Sequence, residues 1–187
     1  AHYNLGNTLR RLGKPDEAVE SYRKALELNP NDAKAHTSLG FSLQALGELD
    51  TAIESHKKAL QLKPNYALAH LNLSLALLSL GNFEDGWKEY EWRWKTTLSK
   101  KPAHELQKYL WDGKSLNGKT ILLFAEQGLG DTIQFVRYVE EVAKFNGNII
   151  VECQRPLFRL LSRIPEINPL VVSGAPLPEY DVCAPLL

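Results

Sequence analysis

The chain has 187 residues, 44% hydrophobic and 24% charged, with Lys plus Arg matching Asp plus Glu at 22 each; this suits one large or two small globular units and excludes extensive disorder. The balanced charge supplies no field that would draw the chain to nucleic acid or an anionic membrane. No apolar run approaches the roughly 18 residues that span a bilayer, and the N-terminus lacks the basic start and apolar core of a signal peptide, so the chain reads as cytoplasmic.

Two cysteines, Cys153 and Cys183, come without a CxxC or a Cys/His cluster and read as reduced, buried apolar groups. Neither a metal nor a cofactor is expected. The chain starts without methionine, inside an expected helix, and stops in or just after an expected strand, so it reads as a piece of a longer protein.

From the N-terminus, residues recur at a spacing of 34: Pro30 and Pro64, Gly13 with Gly47 and Gly81, Ala1-His2 with Ala35-His36 and Ala69-His70. Gly6, Gly40 and Ser74 are small where the first helix of each repeat must cross the second, and Ala18, Ala52 and Gly86 are small on the facing side. Pro30 and Pro64 stop the second helices, and Asn31, Asp32 and Asn65 supply turn and cap groups before the next. The pattern resembles tetratricopeptide repeats residue by residue, with Leu5, Gly6, Leu9, Ala18, Tyr22, Ala25 and Pro30 filling the family's packing positions in the first repeat. In the third repeat Arg93 replaces the expected alanine and no proline closes it.

A solenoid of this kind over residues 1–95 has repeats near 1–32, 33–66 and 67–95, each covering its neighbour's apolar face. Asn4, Ser38 and Asn72 take equivalent places on the concave face. A carboxamide can pair with both the N–H and the C=O of an extended peptide, so these residues define a candidate groove for a protein or peptide partner. The arrangement resembles the asparagine ladder of O-linked N-acetylglucosamine transferases, broken at Ser38; a plain solvated helix face accounts for the same residues. The periodic histidines His2, His36 and His70 sit one layer apart, about 8–10 Å, too far to share a zinc ion, and read as packing or surface groups.

From Phe83 the third repeat becomes tryptophan-rich, with Trp87, Trp92 and Trp94. Phe83, Trp87, Tyr90 and Trp94 are expected as one apolar helical stripe and Trp92 on a second side, covered by the following domain. Residues 96–118 read as a polar linker with one helical turn around His104 to Tyr109.

Residues 119–187 read as strand, helix, strand, helix, strand: Thr120 to Ala125, Asp131 to Phe145, Asn148 to Glu152, Leu157 to Ile164, Leu170 to Val172, and a further strand at Tyr180 to Ala184. This is the βαβ signature of a partial Rossmann-like domain with a parallel sheet. A ligand is expected at the carboxyl ends of the strands, where Glu126, Gln127, Gly128, Gly130 and Asp131 lie. The loop is not the dinucleotide fingerprint: Ile133 occupies the third glycine's place, and Asp131 would repel a pyrophosphate. Asp131 suits two roles, a helix N-cap or an acceptor of a proton from a substrate hydroxyl.

The stretch AEQGLGDTIQFVRYV resembles the N-terminal motif of GT-B glycosyltransferases related to the heptosyltransferases, and the GW..YEWRW segment resembles bacterial fusions of that kind to tetratricopeptide repeats. The resemblance implies Asp131 as catalytic base and Glu126, Gln127, Gly128 and Gly130 as acceptor-cleft residues. The nucleotide-sugar donor would bind in a second domain absent from this sequence, so the fragment alone is expected to be inactive. Three functions follow as alternatives: a recruiting module on a sugar transferase, a non-catalytic interaction scaffold and, against the glycine spacing, a nucleotide-binding regulator.

Overall fold

A computed structural model describes residues 1–96 and 109–186. The chain forms two compact units, residues 1–99 and 100–187. The helical turn expected around His104 lies outside the described residues.

The first unit is three helical hairpins: α1 (His2–Arg11) with α2 (Pro15–Leu28), α3 (Ala33–Ala45) with α4 (Leu49–Leu62), and α5 (Ala67–Ser79) with α6 (Phe83–Tyr90). Pro15 starts α2, where its missing N–H costs nothing, and the Asp32 carboxylate caps α3 by accepting from Lys34 N at 2.9 Å and Ala35 N at 3.2 Å. The hairpin turns repeat one device. Gly13, Gly47 and Gly81 have φ of +73°, +80° and +80°, a region that strains other residues. At the crossings, a β-carbon added to Gly6 would fall 2.6 Å from the Tyr22 ring, and one on Gly40 2.6 Å from the His56 ring. The small residues opposite, Ala18 and Ala52, are fully buried.

The tryptophan-rich end differs from the single stripe expected. Helix α6 stops at Tyr90 and the chain tightens into a 3-10 turn over Glu91–Lys95. That change of pitch separates the aromatic residues: Trp94 is buried, whereas Phe83 and Trp87 are exposed. Trp92 is stacked on His70 of α5 at 3.8 Å between ring centroids. Arg93 is 2% exposed, its guanidinium held 4.1 Å from the Trp94 ring centroid and 4.7 Å from that of Tyr90, and it donates to Glu91 Oε1 at 2.8 Å.

The second unit is a four-stranded parallel sheet in the order β3-β2-β1-β4, with β1 Thr120–Ala125, β2 Asn148–Cys153, β3 Leu170–Val172 and β4 Val182–Leu186. Ile121 and Leu123 of β1 with Ile149, Val151 and Cys153 of β2 form one buried face, against Val136, Val139, Leu157 and Leu161; Leu122, Phe124 and Ile150 on the alternate face are buried as well. Burial on both faces explains the continuous apolar runs. Cys153 and Cys183 form no disulfide and are fully buried, and burial pushes both thiols above the ordinary thiol value.

Two segments depart from expectation. The crossover after β1 is not one helix but α7 (Leu129–Phe135), a 3-10 turn over Val136–Tyr138, and α8 (Val139–Ala143). The change of pitch brings Thr132 into the core and leaves Ile133 49% exposed, where a regular helix from Asp131 to Phe145 would align Ile133 with the buried Val136 and Val139. Within the stretch expected as linker, Trp111 N donates to Cys183 O at 2.8 Å, Leu110 bridges Cys183 in parallel, and Leu116 is 2% exposed in the sheet's core. A β-carbon at Gly147 would lie 2.4 Å from Leu116 Cδ1, which accounts for a glycine beside Asn146.

Candidate functional site

The concave face of the first unit is built by α1, α3 and α5, the first helix of each hairpin. Between them lies a cavity of about 320 Å³ lined by Arg10 of α1, Thr37, Ser38 and Phe41 of α3, and Leu68 and Asn72 of α5. Two of the three ladder positions expected from the repeat spacing therefore meet at one cavity; Asn4, exposed on α1, is not part of its wall. Asn72 is only 6% exposed, and its carboxamide makes no hydrogen bond within the described residues. A carboxamide open to a cavity with no partner of its own has its donors and acceptor ready for a bound group.

Beneath the cavity the polar groups support one another. Tyr22 donates to Asn7 Oδ1 at 2.8 Å; burial raises its hydroxyl above the ordinary tyrosine value, opposed chiefly by the nearby positive charge of Arg10. The Arg10 guanidinium lies 5.0 Å from the Phe41 ring centroid. Sequence reading passed over Arg10, Phe41 and Leu68. For Phe41 a signal was available, since Phe41 and Leu75 are apolar and one period apart; the structure leaves them 42% and 43% exposed on α3 and α5.

The periodic histidines stitch one repeat to the next. His36 Nε2 donates to Pro30 O at 2.9 Å, and His70 Nε2 donates to Pro64 O at 2.8 Å. His70 Nδ1 also meets the Glu89 carboxylate. Each ring thereby satisfies the carbonyl of a proline that ends the preceding repeat. Among the described residues no group of three His, Cys, Asp or Glu side chains is placed to hold a metal ion.

In the second unit, β1 lies between β2 and β4, so the strand order reverses beside it, and the loop leaving its carboxyl end is where an open parallel sheet seats ligands. That loop holds Glu126, Gln127, Gly128, Gly130 and Asp131. Asp131 is not the N-cap residue of α7. Gly128 is, and Asp131 stands in the third helical position, where its Oδ2 accepts from Gly128 N at 3.0 Å. Oδ1 has no hydrogen-bond partner among the described residues.

Gln154, which follows β2 and which sequence reading missed, holds the loop from the other side. Its Nε2 donates to Gln127 O at 2.9 Å and to Thr132 Oγ1 at 3.1 Å, and Thr132 donates onward to Gly128 O at 3.2 Å. Beyond the loop, a smaller cavity of about 130 Å³ is walled by Trp111, Leu123, Phe135, Tyr138, Val142 and Leu186 among others. No helix among the described residues is long and apolar enough to cross a membrane.

Comparison with known proteins bears on the helical unit. Models of the tetratricopeptide repeat match residues 1–32 and 21–54, and a TPR repeat model matches residues 43–81. Among curated proteins, FlbA of Caulobacter vibrioides is 33% identical over 63 residues, which are 34% of this chain and 11% of that protein. The chain thus spans about a tenth of that relative. Among solved structures, MamA is 26% identical at a TM-score of 0.47 over 50% of this chain and 55% of its own. The first TPR of Spaghetti (RPAP3), bound to the HSP90 peptide SRMEEVD, is 24% identical at a TM-score of 0.49 over 50% of this chain and 75% of its own. Residues 1–81 are tetratricopeptide repeats.

Proposed function

Because residues 1–81 are tetratricopeptide repeats, we propose that the first unit holds an extended segment of a partner protein along the concave face of α1, α3 and α5. The observation that carries this is Asn72, 6% exposed, on the wall of a cavity of about 320 Å³ and without a partner of its own among the described residues. A peptide backbone offers that carboxamide an acceptor and a donor together, and Ser38 and Asn4 extend the row across the neighbouring helices. Leu68 and Phe41 supply the apolar wall that a side chain of the bound segment would bury.

Peptides selected against the whole 187-residue chain by display test this. Asn72→Ala combined with Asn4→Ala is expected to weaken the selected peptides tenfold or more while the helical melting curve stays within a few degrees. Unchanged affinity returns the row to a solvated helix face.

A second reading rests on the β1 loop. The order β3-β2-β1-β4 is compatible with the first four strands of a doubly wound sheet, and Asp131 stands beside the strand-order reversal with one carboxylate oxygen unbonded among the described residues. This supports the sequence resemblance to the acceptor side of a glycosyltransferase, in which Asp131 would take the proton of an acceptor hydroxyl attacking a nucleotide sugar held by a further domain. A non-catalytic scaffold uses the same groove without the chemistry. Sugar transfer and sugar-nucleotide hydrolysis by the longest protein that contains this chain, over a donor panel and beside its Asp131→Asn variant, separates the two. Turnover that the variant loses, with donor affinity kept, supports the enzyme; no turnover and no donor binding supports the scaffold.

A further inference from the structure

We infer that the groove selects an acidic segment: an extended peptide with an Asp or Glu side chain next to an apolar residue, the carboxylate meeting Arg10 and the apolar residue packing on Phe41 and Leu68. This rests on the groove reading above and adds to it the charge and chemistry of the partner.

The first observation is charge segregation hidden by the chain's zero net charge. The three concave helices, α1, α3 and α5, carry Arg10, Arg11 and Lys34 and no aspartate or glutamate. The other carboxylates of the helical hairpins lie on or just ahead of the second helices: Asp16, Glu17, Glu20 and Glu27 on α2, Glu48 ahead of α4 with Asp50 and Glu54 on it, and Glu84, Asp85 and Glu89 on α6. Asp32 precedes α3, but its carboxylate already accepts from Lys34 N and Ala35 N. A partner on the concave side therefore meets cations without interspersed anions, and complementary potential favours an acidic one.

The second observation is where the cation sits. Arg10 lies on the same helix as Asn4 but six residues on, roughly 9 Å along the axis at 1.5 Å per residue. A backbone lying across Asn4, Ser38 and Asn72 would run past Arg10 at about the reach of a glutamate and an arginine side chain together. A side-chain carboxylate projecting from the bound strand fits that offset better than the strand's own terminus. The apolar contacts come from the same cavity wall, since Arg10 lies over Phe41 and both line the space with Leu68. No carboxylate among the described residues pairs with Arg10, whose guanidinium lies against the Phe41 ring, leaving the fork able to take one.

The test uses the whole chain and pools of fluorescein-labelled nonapeptides, acetylated and amidated at their ends, with Leu or Phe at the centre flanked by Asp/Glu, by Asn/Gln or by Lys/Arg. The acidic pool is expected to bind at least fivefold more tightly than the neutral one and to weaken as salt rises from 50 to 300 mM. Arg10→Gln should remove the preference, Arg10→Lys should keep most of it, and Asn72→Ala should weaken acidic and neutral pools alike. Equal binding of acidic and neutral pools that still responds to Asn72→Ala overturns the charge selection and leaves the groove standing. Binding of no pool, or binding indifferent to Asn72→Ala, overturns the groove and this inference together. A parallel set with free C-termini decides the source: preference for a free terminus, with no preference among the amidated pools, overturns the side-chain assignment.

Discussion

The imidazole of His56 occupies the space over Gly40 so closely that a β-carbon there would fall 2.6 Å from the ring. Both residues are buried and His56 is fully so, which leaves the ring no room to withdraw. Gly40→Ala is therefore expected to destabilise the helical unit by about 1–2 kcal/mol, the strain of overpacking outweighing alanine's better helix propensity. Gly130→Ala provides the contrast, because nothing lies within 4 Å of a β-carbon there. That variant should be neutral or up to about 1 kcal/mol more stable. Urea titrations of the two variants, read by circular dichroism, check both.

His56 also makes the stability depend on pH. Its Nε2 donates to Gln44 Oε1 at 3.0 Å, its buried Nδ1 has no partner among the described residues, and burial lowers its pKa from 6.5 to about 4. The unfolded chain takes up this proton near the ordinary value, whereas the folded chain resists until about pH 4. Stability is thus intact above pH 7 and is lost as pH falls through 6.5 toward 4, by about 2 kcal/mol at pH 5. His56→Phe should remove that part of the acid sensitivity while shifting stability at pH 7.5 by less than about 1 kcal/mol. Denaturation midpoints at pH 7.5 and 5.0 for both proteins measure it.

His36 and His70 occupy the same repeat position, yet their removal should differ. His36→Ala loses one exposed bond to Pro30 O and is expected to cost about 0.5–1.5 kcal/mol. His70→Ala also strands the Glu89 carboxylate, whose side chain is 27% exposed, and removes the ring on which Trp92 stacks. A cost of about 2–4 kcal/mol follows, and a double-mutant cycle with Glu89→Gln should show coupling of about 1 kcal/mol or more. Similar costs for the two histidines, or no coupling, would remove His70 from this role.

The repeats were legible because each carries its own register. Once Gly6 and Gly40 are read as crossing points, Tyr22 and His56 must fill the space opposite, and the helices follow from the period. The end of the array was not legible, because the stop at Tyr90 depends on Trp92 finding His70 and on Arg93 entering between Tyr90 and Trp94. No local spacing encodes those contacts. The same holds for Trp111, whose N–H pairs with Cys183 O from a segment that reads as polar connector. Of the candidate sites, Ser38 and Asn72 could be placed from the period, while Arg10 needed the hairpins assembled. In the β1 loop, Asp131 was three positions out as a cap because α7 begins at Leu129, with Gly130 inside the helix. Gln154 was invisible, since it reaches the loop only across the sheet.

Gln154 gives the sharpest test of what that loop is. Its carboxamide fixes Gln127 O and Thr132 Oγ1 together, while Asp131 fixes Gly128 N within the loop itself. Gln154→Ala should cost about 1–2 kcal/mol, because Thr132 is fully buried and loses a hydrogen-bond partner. Amide exchange at 127–132 should quicken by tenfold or more while β1 stays protected. Asp131→Asn, whose amide oxygen can still accept from Gly128 N, should leave that exchange within about threefold of the parent. If the loop only ends a strand and starts a helix, neither change will reach any activity of a protein that contains this chain. If it seats an acceptor, Gln154→Ala should raise KM through a loosened cleft, whereas Asp131→Asn should lower kcat with the loop intact, and that split in steady-state kinetics tells positioning from proton transfer.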